Sequence, residues 1–146
     1  MKVVVDSNIL FSALLKADAK LAEIILNPAF NLEKISCYFL YIELFRHKEK
    51  MLRISKLSEE DILDVFYRLM KKITFINEET ITDEDWQQAE QLTTGVDEKD
   101  MPFVALAISQ RAVLWTGDRR LLEGLQAQGF EQVIDTATLL NHLNLS

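Results

Sequence analysis

The sequence predicts an α/β fold in three layers, with helices on both faces of a central, mostly parallel sheet. Three observations carry this. Short β-branched and apolar runs alternate with helix-length segments, the pattern of parallel strands joined by crossover helices. The first run, KVVV at residues 2–5, has no polar alternation beyond Lys2, as expected of a strand covered on both faces. Ser, Thr, Asp and Asn recur where the intervening helices would begin.

The elements follow in order. After the strand at 2–5, Asp6-Ser7-Asn8 supplies capping chemistry for a helix at 8–16. A second helix spans 18–26 and stops at Asn27-Pro28. Residues 35–41 read as a strand, and 42–55 as the helix after it. Ser58 and Asp61 approximate a capping box opening a helix to residue 71. Residues 73–76 form a short strand. Thr82 and Asp85 repeat the cap before a helix to residue 92, and Gly95 breaks the chain. Asp97 to Asp100 leads into a helix at 101–111, with Pro102 in the first turn, where a missing N–H costs little. Residues 112–116 are a strand and Gly117-Asp118 its turn. A helix at 119–128 ends at Gly129 in a C-terminal cap. Residues 132–134 are the last strand, and Thr136 caps the last helix.

With 146 residues and 49% hydrophobic content, the chain has the size and the apolar material for one domain with a real core, spanning 1–146. Four Gly and two Pro exclude a loop-rich or disordered chain. A single cysteine, Cys37, rules out an intrachain disulfide and fits a reducing compartment, so a cytoplasmic location is expected. Asp6 and Asn8 interrupt the apolar N-terminus, no small-residue cleavage site follows, and no run is long enough to span a membrane. The net charge of −7 counts against general nucleic-acid affinity. The sum hides a local basic segment, Arg46, His47, Lys48, Lys50, Arg53 and Lys56, and a second pair, Lys71 and Lys72.

The isolated acids carry the functional signal. In an open parallel sheet, ligands bind beyond the carboxyl ends of the strands. Asp6 directly follows the strand at 2–5, and Asp118 follows that at 112–116. Glu43 falls in the first turn expected after the strand at 35–41. Asp100 opens the helix preceding the strand at 112–116. Each has a plain alternative. Asp6 or Asp100 could cap a helix, Glu43 could complement a helix dipole, and Asp118 could be a turn residue. Convergence of all four is harder to explain as scaffolding, because clustered carboxylates repel unless a cation is present. Carboxylate-only ligation suits Mg2+ or Mn2+. Such ions promote phosphodiester hydrolysis by polarising the phosphoryl group and lowering the pKa of a water.

Three segments together resemble the PIN-domain family. VVVDSNILFSAL ends its strand in Asp, with Asn two residues on. YIELFRHKEK places Glu43 after the second strand. DEKDMPFVALAISQRAVLWTGDRRLL has an acid opening an alanine-containing helix, then a strand and a T-x-D turn. No one of these motifs is specific; their order and spacing across nearly the whole chain are. The resemblance implies a PIN-like parallel sheet flanked by helices and an Mg2+- or Mn2+-dependent ribonuclease. It also implies the toxin of a toxin–antitoxin pair, with an antitoxin protein as partner, and a homodimer. It assigns Asp6, Glu43, Asp100 and Asp118 to metal binding and catalysis. Asn8 and Thr116 take supporting positions, with Ser7 a weaker candidate. Asp97 and Asp100 compete for the third acid. Ala105 and Ala107 favour Asp100 and leave Asp97 as an accessory acid or only a turn residue. Arg120 stands where some members have a further acid, which weakens the case for a second metal. Arg46, one turn from Glu43, and Arg119, beside Asp118, are candidate RNA contacts. Two other readings stay open: a PIN-like module that only binds protein or RNA, and a phosphatase with Asp6 as nucleophile. The second usually needs D-x-D, and position 8 is Asn.

Overall fold

The computed structural model describes residues 1–16 and 19–145. Five strands, β1 (Lys2–Val5), β2 (Glu33–Cys37), β3 (Thr74–Ile76), β4 (Val113–Trp115) and β5 (Val133–Ile134), form one sheet in the order β3-β2-β1-β4-β5. Every pairing is parallel. The α-helices that flank it are α1 (Ser7–Lys16), α2 (Ala19–Leu26), α3 (Phe39–Arg46), α4 (Lys48–Ser55), α5 (Glu59–Met70), α6 (Asp83–Thr93), α7 (Met101–Gln110), α8 (Arg119–Ala127) and α9 (Thr136–Leu145). The helix start expected at residue 18 lies outside the described residues.

Strand β1 is central, and Val3, Val4 and Val5 are fully buried, as its unbroken apolar run requires. Helix α7 packs across β1, β2 and β4. Phe103 to Ala107 are buried without a polar stripe, the signature of a helix enclosed on every side. Trp115 is fully buried on β4, its indole N–H donating to Thr136 Oγ1 at 3.0 Å. Cys37 is buried too, and burial pushes its thiol up to about 12, so it behaves as core. Phe45 and Tyr67, in contrast, are 80% and 60% exposed, outside the core.

Several bounds shift by a residue or two, and two larger departures from expectation have one reason each. The second strand stops at Cys37, and residues 39–41 are already helical. Glu78, in a 3-10 turn at Glu78–Thr80, accepts the backbone N–H groups of Tyr38 and Phe39 at 2.8 and 3.0 Å. A carboxylate from forty residues away thus caps α3 and starts it early, so Glu43 lies past the first turn. The expected single helix at 42–55 is broken at His47, whose ψ of 7° leaves helical geometry. Its ring packs edge-on against Phe11 of α1 at 5.1 Å. The expected caps Ser58 and Thr82 accept from Asp61 and Asp85 N–H. Gly129 adopts φ +82° at the end of α8, the left-handed conformation its cap needs.

Candidate active site

The chain builds β1, β2 and β3 outward in one direction, then returns to lay β4 on the other side of β1. The sheet therefore switches direction between β1 and β4, and crevices form beyond the strand ends at such a point. Asp6 and Thr116 are the residues that follow the paired ends Val5 and Trp115. Asp6 N–H donates to Trp115 carbonyl at 3.1 Å, extending the ladder by one step. Asp6 is fully buried.

Its carboxylate is held from several directions. Oδ1 accepts from Ser7 N–H at 2.7 Å. Oδ2 accepts from Thr116 Oγ1 at 2.7 Å and Asn8 Nδ2 at 3.1 Å. Thr116 Oγ1 also accepts from Asp118 N–H at 3.0 Å, and Asn8 Oδ1 from Gly117 N–H at 2.8 Å. Asn8 and Thr116 thus join the two strand ends across the switch point. Burial still outweighs these bonds and, with a smaller push from Asp118, raises Asp6 to about 6.

Asp97, Asp100 and Asp118 each offer a carboxylate oxygen within 4.8 Å of the other two. They arrive from two segments. Asp97 precedes the 3-10 turn Glu98–Asp100, and Asp100 ends that turn at the mouth of α7. Asp118 is the N-cap of α8, with Oδ1 accepting from Leu121 N–H at 3.2 Å. Asp100 makes no side-chain cap bond despite its position, which removes the plain capping reading for that residue. Burial, followed by repulsion from Asp6 and Asp97, raises its carboxyl to about 9. Both Asp97 and Asp100 join the cluster, so this geometry does not rank one above the other. An all-oxygen, anionic set forced to retain a proton fits a hard divalent cation in its chemistry.

Glu43 is not among the three clustered acids. It is nonetheless buried, and its Oε1 accepts no hydrogen bond. Arg46 Nη1 lies 3.8 Å from its Oε1 and His47 Nε2 lies 3.5 Å from its Oε2. Its helix is braced on two sides. Phe39, one turn earlier, meets Phe103 of α7, and His47, one turn later, meets Phe11 of α1. Those partners lie one turn into the helices that Asp100 and Asp6 precede. Arg46 also lies over the Phe39 ring at 6.0 Å. Arg119 pairs with Asp135 at 3.8 Å, and Lys48 with Glu59 at 2.8 Å.

Sequence reading passed over two contributors. Ser36 donates to the Val5 carbonyl at 3.1 Å, pinning β2 beneath the end of β1; a serine inside a strand carries no such signal. Gly124 is contacted by Val96, next to Asp97, and only the tertiary contact identifies it.

Among solved structures, the chain is similar to VapBC2 from Rickettsia felis bound to a DNA fragment from their promoter. The match has 14% identity and a TM-score of 0.65, covering 92% of this chain and 97% of that one. It is also similar to PAE2754 from Pyrobaculum aerophilum, with 18% identity and a TM-score of 0.69, covering 100% and 91%. At these identities the likeness establishes the fold. No curated protein sequence matches the chain. A family model described as PIN domain matches residues 4–138, from within β1 to within α9, and the chain belongs to the PIN-domain family.

Proposed function

We propose that this chain is a metal-dependent endoribonuclease that uses Mg2+ or Mn2+ to hydrolyse RNA phosphodiesters. The observation that carries the reading is the meeting of Asp97, Asp100 and Asp118 beside a fully buried Asp6. Desolvation and mutual repulsion hold Asp6 and Asp100 toward their protonated forms. A scaffold gains nothing from that cost, and a divalent cation relieves it.

Asp97, Asp100 and Asp118 would hold the ion, with Asp6 completing the anionic wall. When bound, a hard divalent cation polarises the phosphoryl group and makes water more acidic. The remaining work falls to the chain. Ser7 N–H, Asn8 and Thr116 fix the plane of the Asp6 carboxylate. Glu43 keeps a free lone pair on Oε1, suited to a cation or to a proton released by the attacking water. Arg46 offers an exposed guanidinium beside Glu43, and RNA phosphate is the anion it would meet. The rest of an acidic chain repels RNA, so the cation and this basic segment together set affinity.

The test is cleavage of a structured RNA with Mn2+ by the parent chain and by Asp6→Asn, Asp100→Asn and Asp118→Asn. The reading expects cleavage by the parent alone and its loss in chelator. Equal cleavage by parent and variants, or cleavage that survives chelator, refutes it. Parent binding RNA without cutting it would favour the module that only binds.

The toxin reading extends this proposal. It draws on the fold shared with VapBC2 and expects a small antitoxin protein encoded beside this chain. Co-expression that abolishes cleavage supports it, and unchanged cleavage refutes it. A homodimer and a cytoplasmic location are proposed on the same family basis. Among the described residues, no helix is long and apolar enough to cross a membrane.

A further inference from the structure

Asp97 and Asp100 share one turn, in which Asp100 N–H donates to the Asp97 carbonyl at 3.3 Å, whereas Asp118 comes from a separate segment. Asp97 belongs to the loop after α6, whereas Asp118 caps α8. Their separation therefore depends on how closely α8 approaches that loop. The loop itself is anchored. Val96 and Asp97 N–H both donate to the Thr93 carbonyl, at 3.0 and 3.1 Å, and Gly95 turns the chain with φ +79°. Its contact with α8 falls at Gly124. A Cβ built there would lie 2.5 Å from Val96 Cγ1 and 2.9 Å from Cγ2. Such distances are far inside the roughly 3.5–4.0 Å optimum for carbon contacts. A few residues further on, Gln128 Nε2 donates to the Leu92 carbonyl at 2.7 Å, clamping α8 to the end of α6. The valine wedge and the glutamine clamp leave α8 no room to retreat and no side chain at 124 to push it away.

We propose that Gly124 is a positioning residue for the acid cluster: its missing side chain lets Val96 seat against α8, which sets Asp97 against Asp118 at cation-binding distance. The inference rests on the metal-site reading above. Gly124 contacts no reacting group, and its effect is transmitted through Val96. The neighbour that must give way is a β-branched side chain fixed at the loop's turn, not the loose end of a flexible one. An alanine therefore displaces the Val96–Asp97 segment or tilts α8 about its Asp118 end.

The experiment is Mn2+ titration by calorimetry of the parent, Gly124→Ala, and Val96→Ala combined with Gly124→Ala. Thermal melts in chelator accompany it, to show that each chain is folded. The expected result is Mn2+ affinity roughly 10–100-fold weaker in Gly124→Ala, the range for losing support around metal ligands. The double variant, which removes both clashing methyls, should regain parent-like affinity. A folded Gly124→Ala with parent affinity overturns the inference. So does a double variant that stays weak, because the loss would then not run through Val96. If Gly124→Ala alone does not fold, the double variant decides on the same criterion. A parent that takes up no Mn2+ overturns the metal-site reading beneath.

Discussion

Replacing Asp100 with Asn should stabilise the metal-free protein and abolish its gain from metal. Asp100 titrates near 9 in the folded chain against 3.8 as its ordinary value, because burial and then Asp6 and Asp97 oppose its charge. Below about pH 4 folded and unfolded chains both carry the proton, so the site costs nothing. As pH rises above that, the unfolded chain releases the proton and the folded chain keeps it. Stability then falls steadily until the folded group also ionises. Between its ordinary value and pH 8 lie roughly four units at about 1.4 kcal/mol each, which sets a ceiling of about 6 kcal/mol. Rotation of Asp97 toward solvent would return part of this, leaving about 2–3 kcal/mol. An asparagine amide has no charge to desolvate and can still donate to Asp97, as the protonated acid does. For a chain of this size, each kcal/mol moves the melting temperature by about 2–4 °C. In chelator at pH 8, Asp100→Asn should therefore melt roughly 4–12 °C above the parent, with the gap closing near pH 4. Adding Mn2+ should raise the parent strongly and the variant little. A variant that melts at or below the parent at pH 8, or one that Mn2+ stabilises equally, refutes the reasoning.

Other perturbations separate the parts. Thr116→Val removes the donor to Asp6 Oδ2 and the acceptor for Asp118 N–H, so Mn2+ affinity should fall about 10–100-fold with the fold intact, measured by calorimetry. Asp6 rises from 3.8 to about 6, so it too imposes a cost that grows as pH climbs through that window. Asp6→Asn should accordingly flatten the stability profile between pH 4 and 6 in chelator melts while removing cleavage. Glu78→Ala uncaps α3 by leaving Tyr38 and Phe39 N–H groups without their acceptor. It should cost about 1–2 kcal/mol by denaturant melt and lower cleavage through displaced Glu43. Arg46→Ala should weaken RNA binding in a salt-dependent way and leave Mn2+ affinity unchanged.

The strand ends were legible where chemistry and topology are local. KVVV followed by Asp, and VLWT followed by Gly-Asp, mark the carboxyl ends of two buried strands, and the parallel-sheet rule then points their acids at one rim. Asn8 and Thr116 were legible only through likeness to other sequences, because nothing in their types foretells a bridge between residues more than a hundred positions apart. What stayed hidden is what depends on distant partners. Strand β2 ends early because Glu78 caps α3, and no window around residue 38 contains Glu78. The preference for Asp100 over Asp97 rested on likeness to other sequences, and the meeting of both with Asp118 depends on a 3-10 turn and a tertiary contact that no local window contains.

One physical conflict links these findings. Val5 and Trp115 pair in register, so the next residues, Asp6 and Thr116, are forced together at the buried edge of the sheet. The threonine hydroxyl and the Asn8 amide are what make a carboxylate tolerable there, and even so they leave Asp6 above its ordinary range. Folding then adds Asp118 two residues beyond Thr116 and brings Asp97 and Asp100 up from the loop between α6 and α7. Each addition raises the cost of the previous charge, and the hydrogen bonds available go to Asp6 and Asp118, not to Asp100. The fold thus spends stability to hold one acid without hydrogen-bond donors among three others. A divalent cation would turn this expense into binding, because it can satisfy several anionic oxygens at once.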